Sequence, residues 1–285
     1  MMIQTADSTR LAVADWGTGR PVVLVHAWGL NSHMWNAQLP VLLAAGLRCV
    51  TIDLRGHGRS DRPTTGYDLD TMANDVGCVL DALDLADVVL VGQSMAGAIC
   101  TRLVGGLGTG LGIGLGGTGL GTGLGTDRVT RLILSAPVTP CLTTGPDNEL
   151  GLPAAMFVAN RVAMAADIAG WLEANRAGYW GTGPDRWPAH TDWTTRTIYE
   201  TPLPILLATN EAITSADLRA DVAAIRCPTL VMQGDADRSA PIEITGRPTA
   251  ALLQDGELHV ITGAGHGLYT SFAEQYCAEL VRFAG

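Results

Sequence analysis

The chain has 285 residues, nearly half of them hydrophobic, and a formal net charge of −10. That length holds one large α/β domain, or one such domain carrying an insertion. An acidic chain with no Lys/Arg cluster lacks the positive surface that phosphate neutralisation needs, so nucleic-acid binding and polyanionic substrates are not expected.

The six cysteines, at 49, 78, 100, 141, 227 and 277, form no CxxC and no zinc spacing with histidine, and they read as reduced, mostly buried thiols. "MMIQTADSTR" at the start has no apolar core of a secretory signal. The uncharged stretch 103–126 has the length of a membrane span, but it is half glycine and too weakly apolar for one. A cytoplasmic protein without a membrane segment is the expectation.

Taken in chain order, "RLAVADW" (10–16) alternates and predicts an antiparallel strand, paired with residues near 2–6. Six short, branched apolar runs follow: "PVVLVH" (21–26), "RCVTID" (48–53), "DVVLVG" (87–92), "TRLILSA" (130–136), "PTLVMQG" (228–234) and "ELHVIT" (257–262). They do not alternate, as expected of strands buried on both faces. Helical patterns separate them at 34–46, 69–84, 94–104 and 242–254. Strand and helix in alternation predict an α/β fold. Its core is a mostly parallel, twisted sheet of about eight strands, with helices on both faces.

Two segments break the rhythm. Residues 105–126 contain GTGLG three times, and Gly112, Gly114 and Gly117 satisfy GxGxxG. The match lies in a low-complexity run after a helix rather than a strand, so it reads as a surface insertion and not a nucleotide site. Between Ser135 and Cys227 no good strand appears, while 153–178 and 202–213 are helical in pattern. Trp171, Trp180, Trp187 and Trp193 fall here, four of the seven tryptophans. This predicts a helical cap over 137–226, inserted into a core of 1–136 and 227–285, above the strand ends where open α/β sheets bind ligands. The cap tryptophans are expected to line an apolar cavity, which favours medium-sized, largely uncharged substrates.

The chemistry concentrates at "VLVGQSMAGAICTRL" (89–103). Ser94 stands where a strand ends and a helix begins, flanked by Gly92 and Ala96. A serine there serves as an N-cap or as a nucleophile on a strained elbow. A nucleophile needs a base and an acid, from loops after later strands. His266, set among glycines directly after the last strand, is the base. Asp235 and Asp237, after the strand ending at 234, are both available as the acid. The order Ser, Asp, His is the one this elbow demands. The backbone N–H groups of Trp28 and Met95 are placed to hold an oxyanion. His26 reads as a brace of the loop it opens. His33, His57, His190 and His259 are less well placed.

"LVHAWGLNSHMWNAQLPVLLAAGLRCVTIDLRGHGRSDRP", "VLVGQSMAG", "CPTLVMQGDADRSAP" and "GAGHGLY" resemble the α/β-hydrolase superfamily, in its branch of esterases, lactonases and cofactor-free haloperoxidases or perhydrolases. The resemblance covers most of the chain outside 105–126 and the cap. It implies that the acid is Asp237, at the last position of a G-x-x-D pattern, and that Asp235 is a turn residue. It implies that Asp53 to Ser60 is a structural turn at the pocket floor. The chain has Ala27 and Ala96 where the pattern has glycine, which keeps small residues but narrows the oxyanion region. The expectation is a serine hydrolase acting on an ester, lactone or thioester of a small molecule, with no metal or organic cofactor. Perhydrolysis, acyl transfer or a lyase step on the same triad are alternatives. So is a binding protein that uses the pocket without turnover.

Overall fold

The computed structural model describes residues 1–106, 127–145, 147–181 and 188–285. The GxGxxG match at 112–117, most of the glycine-rich insertion and Trp187 lie outside them. The strands are β1 (Met2–Gln4), β2 (Arg10–Trp16), β3 (Pro21–Val25), β4 (Arg48–Ile52), β5 (Val88–Gln93), β6 (Val129–Ser135), β7 (Thr229–Gly234) and β8 (Gly256–Ile261). They form one open sheet in the order β1-β2-β4-β3-β5-β6-β7-β8. The β1/β2 and β2/β4 pairs are antiparallel, and every other pair is parallel.

The helices are α1 (Leu39–Ala44), α2 (Leu69–Ala82), α3 (Met95–Thr101), α4 (Ala154–Ala166), α5 (Ile168–Trp180), α6 (Pro188–Tyr199), α7 (Leu203–Ser215), α8 (Arg219–Ala224), α9 (Gly246–Leu252), α10 (Leu268–Ser271) and α11 (Ala273–Ala284). Five of them, α4 to α8, stand between β6 and β7, where the described residues hold no strand longer than an isolated bridge.

The central strands are apolar without interruption because each face has its own core. In β3, Val23 and Val25 enter one cluster and Val22 and Leu24 the other. In β5, Val88 and Leu90 divide from Val89 and Val91 in the same way. Burying each of these side chains contributes about 1.5–3 kcal/mol, and any polar replacement loses that on whichever face it enters.

Local chemistry moves several predicted boundaries. The pattern over 34–46 becomes a 3-10 turn, Ser32–Ala37, followed by α1 with Pro40 in its first turn, where a missing N–H costs nothing. The stretch 153–178 is two helices. Asp167 leaves helical geometry at φ −155 and its side chain caps the Gly170 N–H at 2.9 Å, restarting the helix. The pattern over 242–254 is helical only from Gly246. The helix expected to stop near Val104 instead passes into a π turn, Arg102–Gly106. Gly105 and Gly106 are buried there. A Cβ on Gly105 would stand 2.0 Å from the Asp221 carbonyl oxygen, so this glycine packs and is not filler. The next strand begins at Val129, one residue before the predicted run 130–136.

Among the described residues all six cysteines are unbridged. No described helix is long and apolar enough to cross a membrane.

Candidate active site

Strand β5 runs out through Gln93, and Ser94 turns the chain into α3. Ser94 adopts φ 56 and ψ −114, left-handed backbone that side chains avoid. It stands at the N-cap position of α3, but its side chain makes no capping hydrogen bond. The conformation is held from both sides: the Ser94 N–H donates to Ser135 O and the Gly97 N–H to Ser94 O, each at 2.8 Å. The turn is tight enough to dictate its flanks. A Cβ on Gly92 would come 2.5 Å from the Ala96 carbonyl oxygen, and one on Gly97 would come 2.9 Å from Pro137 Cβ. Ala96 and Ala27, by contrast, carry their methyls into the core clusters.

The structure brings Ser94, His266 and Asp237 together although they are far apart in sequence. Ser94 Oγ lies 2.7 Å from His266 Nε2, and His266 Nδ1 lies 2.8 Å from Asp237 Oδ2. All three are buried. The other Asp237 oxygen accepts the Ser239 and Ala240 N–H groups, both at 2.9 Å, which fixes the carboxylate plane. Asp235 faces elsewhere. Its Oδ1 accepts the Gly263 N–H at 2.6 Å and so ties down the loop that carries His266.

The sequence reading overlooks Gln93. Its side-chain amide donates to the His266 carbonyl at 3.0 Å, and its oxygen accepts from Ser135 Oγ. The residue beside Ser94 thus holds the backbone of His266.

Met95 follows Ser94 at the start of α3, and Trp28 lies in the loop after β3. Among the described residues neither backbone N–H meets an acceptor. The loop bearing Trp28 is pinned from both sides. Below, His26 is buried, with Nδ1 against Ala27 O at 2.8 Å and Nε2 accepting the Leu54 N–H at 2.9 Å. Above, the Trp28 indole donates to Leu206 O of α7 at 3.0 Å and meets Trp171 of α5 edge to face at 6.1 Å. Gly29, at φ +69, lies so close to Ile198 and Leu206 that a Cβ would stand 3.1 Å from each.

The turn at 53–60 is a buried polar brace. Asp53 accepts the Ser32 N–H at 2.8 Å and the Arg59 N–H at 3.0 Å. Burial acts to raise its pKa, but these bonds outweigh it and hold the carboxyl below the usual range. Arg55 is fully buried and forks onto Asp75 at 2.5 and 2.6 Å. His57 lies tilted against His26, with ring centroids 5.1 Å apart, and burial takes its pKa from 6.5 to about 3 and lowers that of His26, so both rings stay neutral.

Among the described residues, Trp171 and Trp193 pack, with Trp28, against one buried apolar cluster that includes Leu172, Ile198 and Leu206. Trp171 packs on Trp28, Trp180 lies under Gly267, and Trp193 lines a polar cleft with Asn31, His33, Arg59 and Glu200. Among the described residues no group of three or more His, Cys, Asp or Glu side chains is placed to hold a metal ion.

Comparison with known proteins identifies the family of the fold. The family described as alpha/beta hydrolase matches residues 22–281. The chain is 34% identical to a non-heme chloroperoxidase of Kitasatospora aureofaciens, over 93% of this chain and 91% of that one. Its fold superposes on a bromoperoxidase from Bacillus anthracis with a TM-score of 0.87 and 28% identity, covering 99% of this chain and 98% of the other. An esterase from Exiguobacterium antarcticum superposes with the same TM-score and identity, covering 100% and 98%. By sequence and by fold, the chain belongs to the alpha/beta hydrolase family.

Proposed function

We propose that this protein is a cytoplasmic serine hydrolase that opens an ester, lactone or thioester of a medium-sized, largely apolar small molecule. The observation that carries the reading is the unbroken hydrogen-bonded run from Ser94 Oγ through His266 to Asp237, at 2.7 and 2.8 Å. It begins at a residue whose backbone is held in a costly conformation with no capping bond to account for it.

In this mechanism Ser94 Oγ attacks the substrate carbonyl carbon while its proton passes to His266 Nε2. The Trp28 and Met95 N–H groups receive the oxyanion. Each such donor is worth about 10²–10³ in rate. Asp237 keeps the imidazole in the tautomer with hydrogen on Nδ1 and balances the imidazolium. The tetrahedral intermediate collapses, His266 returns the proton to the leaving oxygen or sulfur, and an acyl-Ser94 ester remains. Water then attacks that ester, giving its proton to His266, and collapse releases the acid and regenerates Ser94. The segment 137–226 acts as the cap that selects the acyl group.

A second reading is supported by the likeness to a chloroperoxidase and a bromoperoxidase. Hydrogen peroxide takes the place of water in the second half, and the acyl group leaves as a peracid. Turnover of a panel of p-nitrophenyl esters and lactones, with and without peroxide, tests both. Hydrolysis that favours medium-length acyl chains supports the first reading, and peracid formed at the expense of acid supports the second. No turnover across the panel overturns both.

A further inference from the structure

Helix α5 touches both halves of the site. Trp171, near its start, packs on Trp28, and Tyr179, near its end, packs on His266. Eight residues separate the two, about 12 Å of helix. The Tyr179 ring meets the imidazole edge to face, at 5.4 Å between centroids and 71° between planes.

The contact is built from both sides. The Gly267 N–H donates to Tyr179 O at 2.9 Å, and Gly181 forms a β-bridge to Ala264. A Cβ on Gly265 would stand 2.3 Å from Gly181 N and 2.6 Å from Tyr179 O. One on Gly267 would stand 2.4 Å from the Trp180 ring. The glycines beside His266 are therefore the room into which the end of α5 fits. The Tyr179 hydroxyl reaches the Tyr269 hydroxyl at 3.2 Å. Tyr269 is fully buried, and its carbonyl accepts the Gln38 side chain at 2.6 Å. The ring is thus tethered at its backbone and at its tip.

Two edges of the imidazole are fixed by Ser94 and Asp237. Within those two hydrogen bonds the ring still rocks through its χ1 and χ2 torsions, and an aromatic ring packed on its side limits that motion. Resting on the serine-hydrolase reading, we infer that Tyr179 is a positioning residue, which sets the plane of the His266 imidazole from the helical segment. Burial pushes the Tyr179 phenol well above its ordinary pKa, so it stays un-ionised and acts through its ring. The segment that selects the substrate thereby also aligns the base.

The test compares Tyr179→Phe, Tyr179→Leu and Tyr179→Ala in the full chain. The probes are p-nitrophenyl acetate turnover, the rate of Ser94 labelling by a fluorophosphonate, and the ¹H NMR signal of His266 Nδ1–H. Tyr179→Leu and Tyr179→Ala lose about tenfold or more in kcat and in labelling rate, the scale expected for losing an aromatic contact that aligns a reacting group. KM changes far less, and the Nδ1–H signal broadens. Tyr179→Phe keeps the ring and rescues most of the rate. Leu and Ala variants that label and turn over as the parent does, or a Phe variant as impaired as Ala, overturn the assignment. Should Tyr179→Ala fold poorly, the Leu-to-Phe comparison at matched melting temperature decides. A parent protein that neither labels nor turns over p-nitrophenyl acetate overturns the hydrolase reading itself, and this role with it.

Discussion

Substituting Ser94 by glycine and by alanine separates the loss of the hydroxyl from the strain of the backbone that presents it. Both changes remove Oγ and its 2.7 Å contact with His266. That loss, about 1 kcal/mol, is common to both and cancels in the comparison. What differs is the backbone. At φ 56 and ψ −114 an L-residue carries a penalty of about 1–3 kcal/mol, which alanine keeps and glycine escapes. Glycine's greater freedom in the unfolded chain returns about 0.4–1 kcal/mol. The glycine variant should therefore be the more stable by about 1 kcal/mol, or about 2–4 °C in melting temperature for a domain of this size. Calorimetry or urea unfolding on the two purified variants measures it. An alanine variant as stable as the glycine variant, or more so, would refute the claim that this elbow stores strain.

Asp237→Asn should cost about 10⁴ in kcat, because an amide beside Nδ1 favours the wrong tautomer. Asp235→Asn loses one loop contact and should cost about tenfold or less, so a reversed order in steady-state rates would sink the assignment of the acid. Gly92→Ala drives a methyl to 2.5 Å from the Ala96 carbonyl, so it should lower stability by about 1–3 kcal/mol and reduce activity by re-aiming Ser94. Unchanged melting and rate would mean the elbow relaxes freely. His57 supplies a pH signature. Its folded pKa, about 3, lies below the ordinary 6.5, so the unfolded chain takes up the proton first. The stability from keeping it neutral is complete above about pH 6.5 and is withdrawn as the pH falls toward 3. Between pH 6.5 and about 5, before most carboxylates titrate, the melting temperature should fall more steeply in the parent than in His57→Gln. Parallel curves would contradict it.

The parts of this molecule legible in sequence are those that local chemistry determines. The branched runs of β3 and β5 announce strands buried on two faces, and a serine between Gly92 and Ala96 at a strand exit announces the elbow. His266 is legible from its place after the last strand. The features that went unread depend on contacts between distant segments. The break at Asp167 interrupts an otherwise continuous helical pattern and rests on one side-chain bond to Gly170. The glycines around His266 look like loop residues until α5 is placed against them. Gly105 looks like the start of a low-complexity run until Asp221 is placed beside it. Helix α11 is a different case. Tyr276, Cys277, Leu280, Phe283 and Ala284 all face the core at helical spacing, a signal that is present in the sequence itself.

The central claim is that Ser94 is a nucleophile, and covalent trapping tests it most directly. The intact protein is treated with a fluorophosphonate, digested, and the adduct located by mass spectrometry. The account predicts one phosphonylated serine, Ser94, with esterase activity lost in proportion to labelling, and neither adduct nor hydrolysis in Ser94→Ala. An adduct elsewhere, or p-nitrophenyl ester hydrolysis that survives in Ser94→Ala, would contradict it.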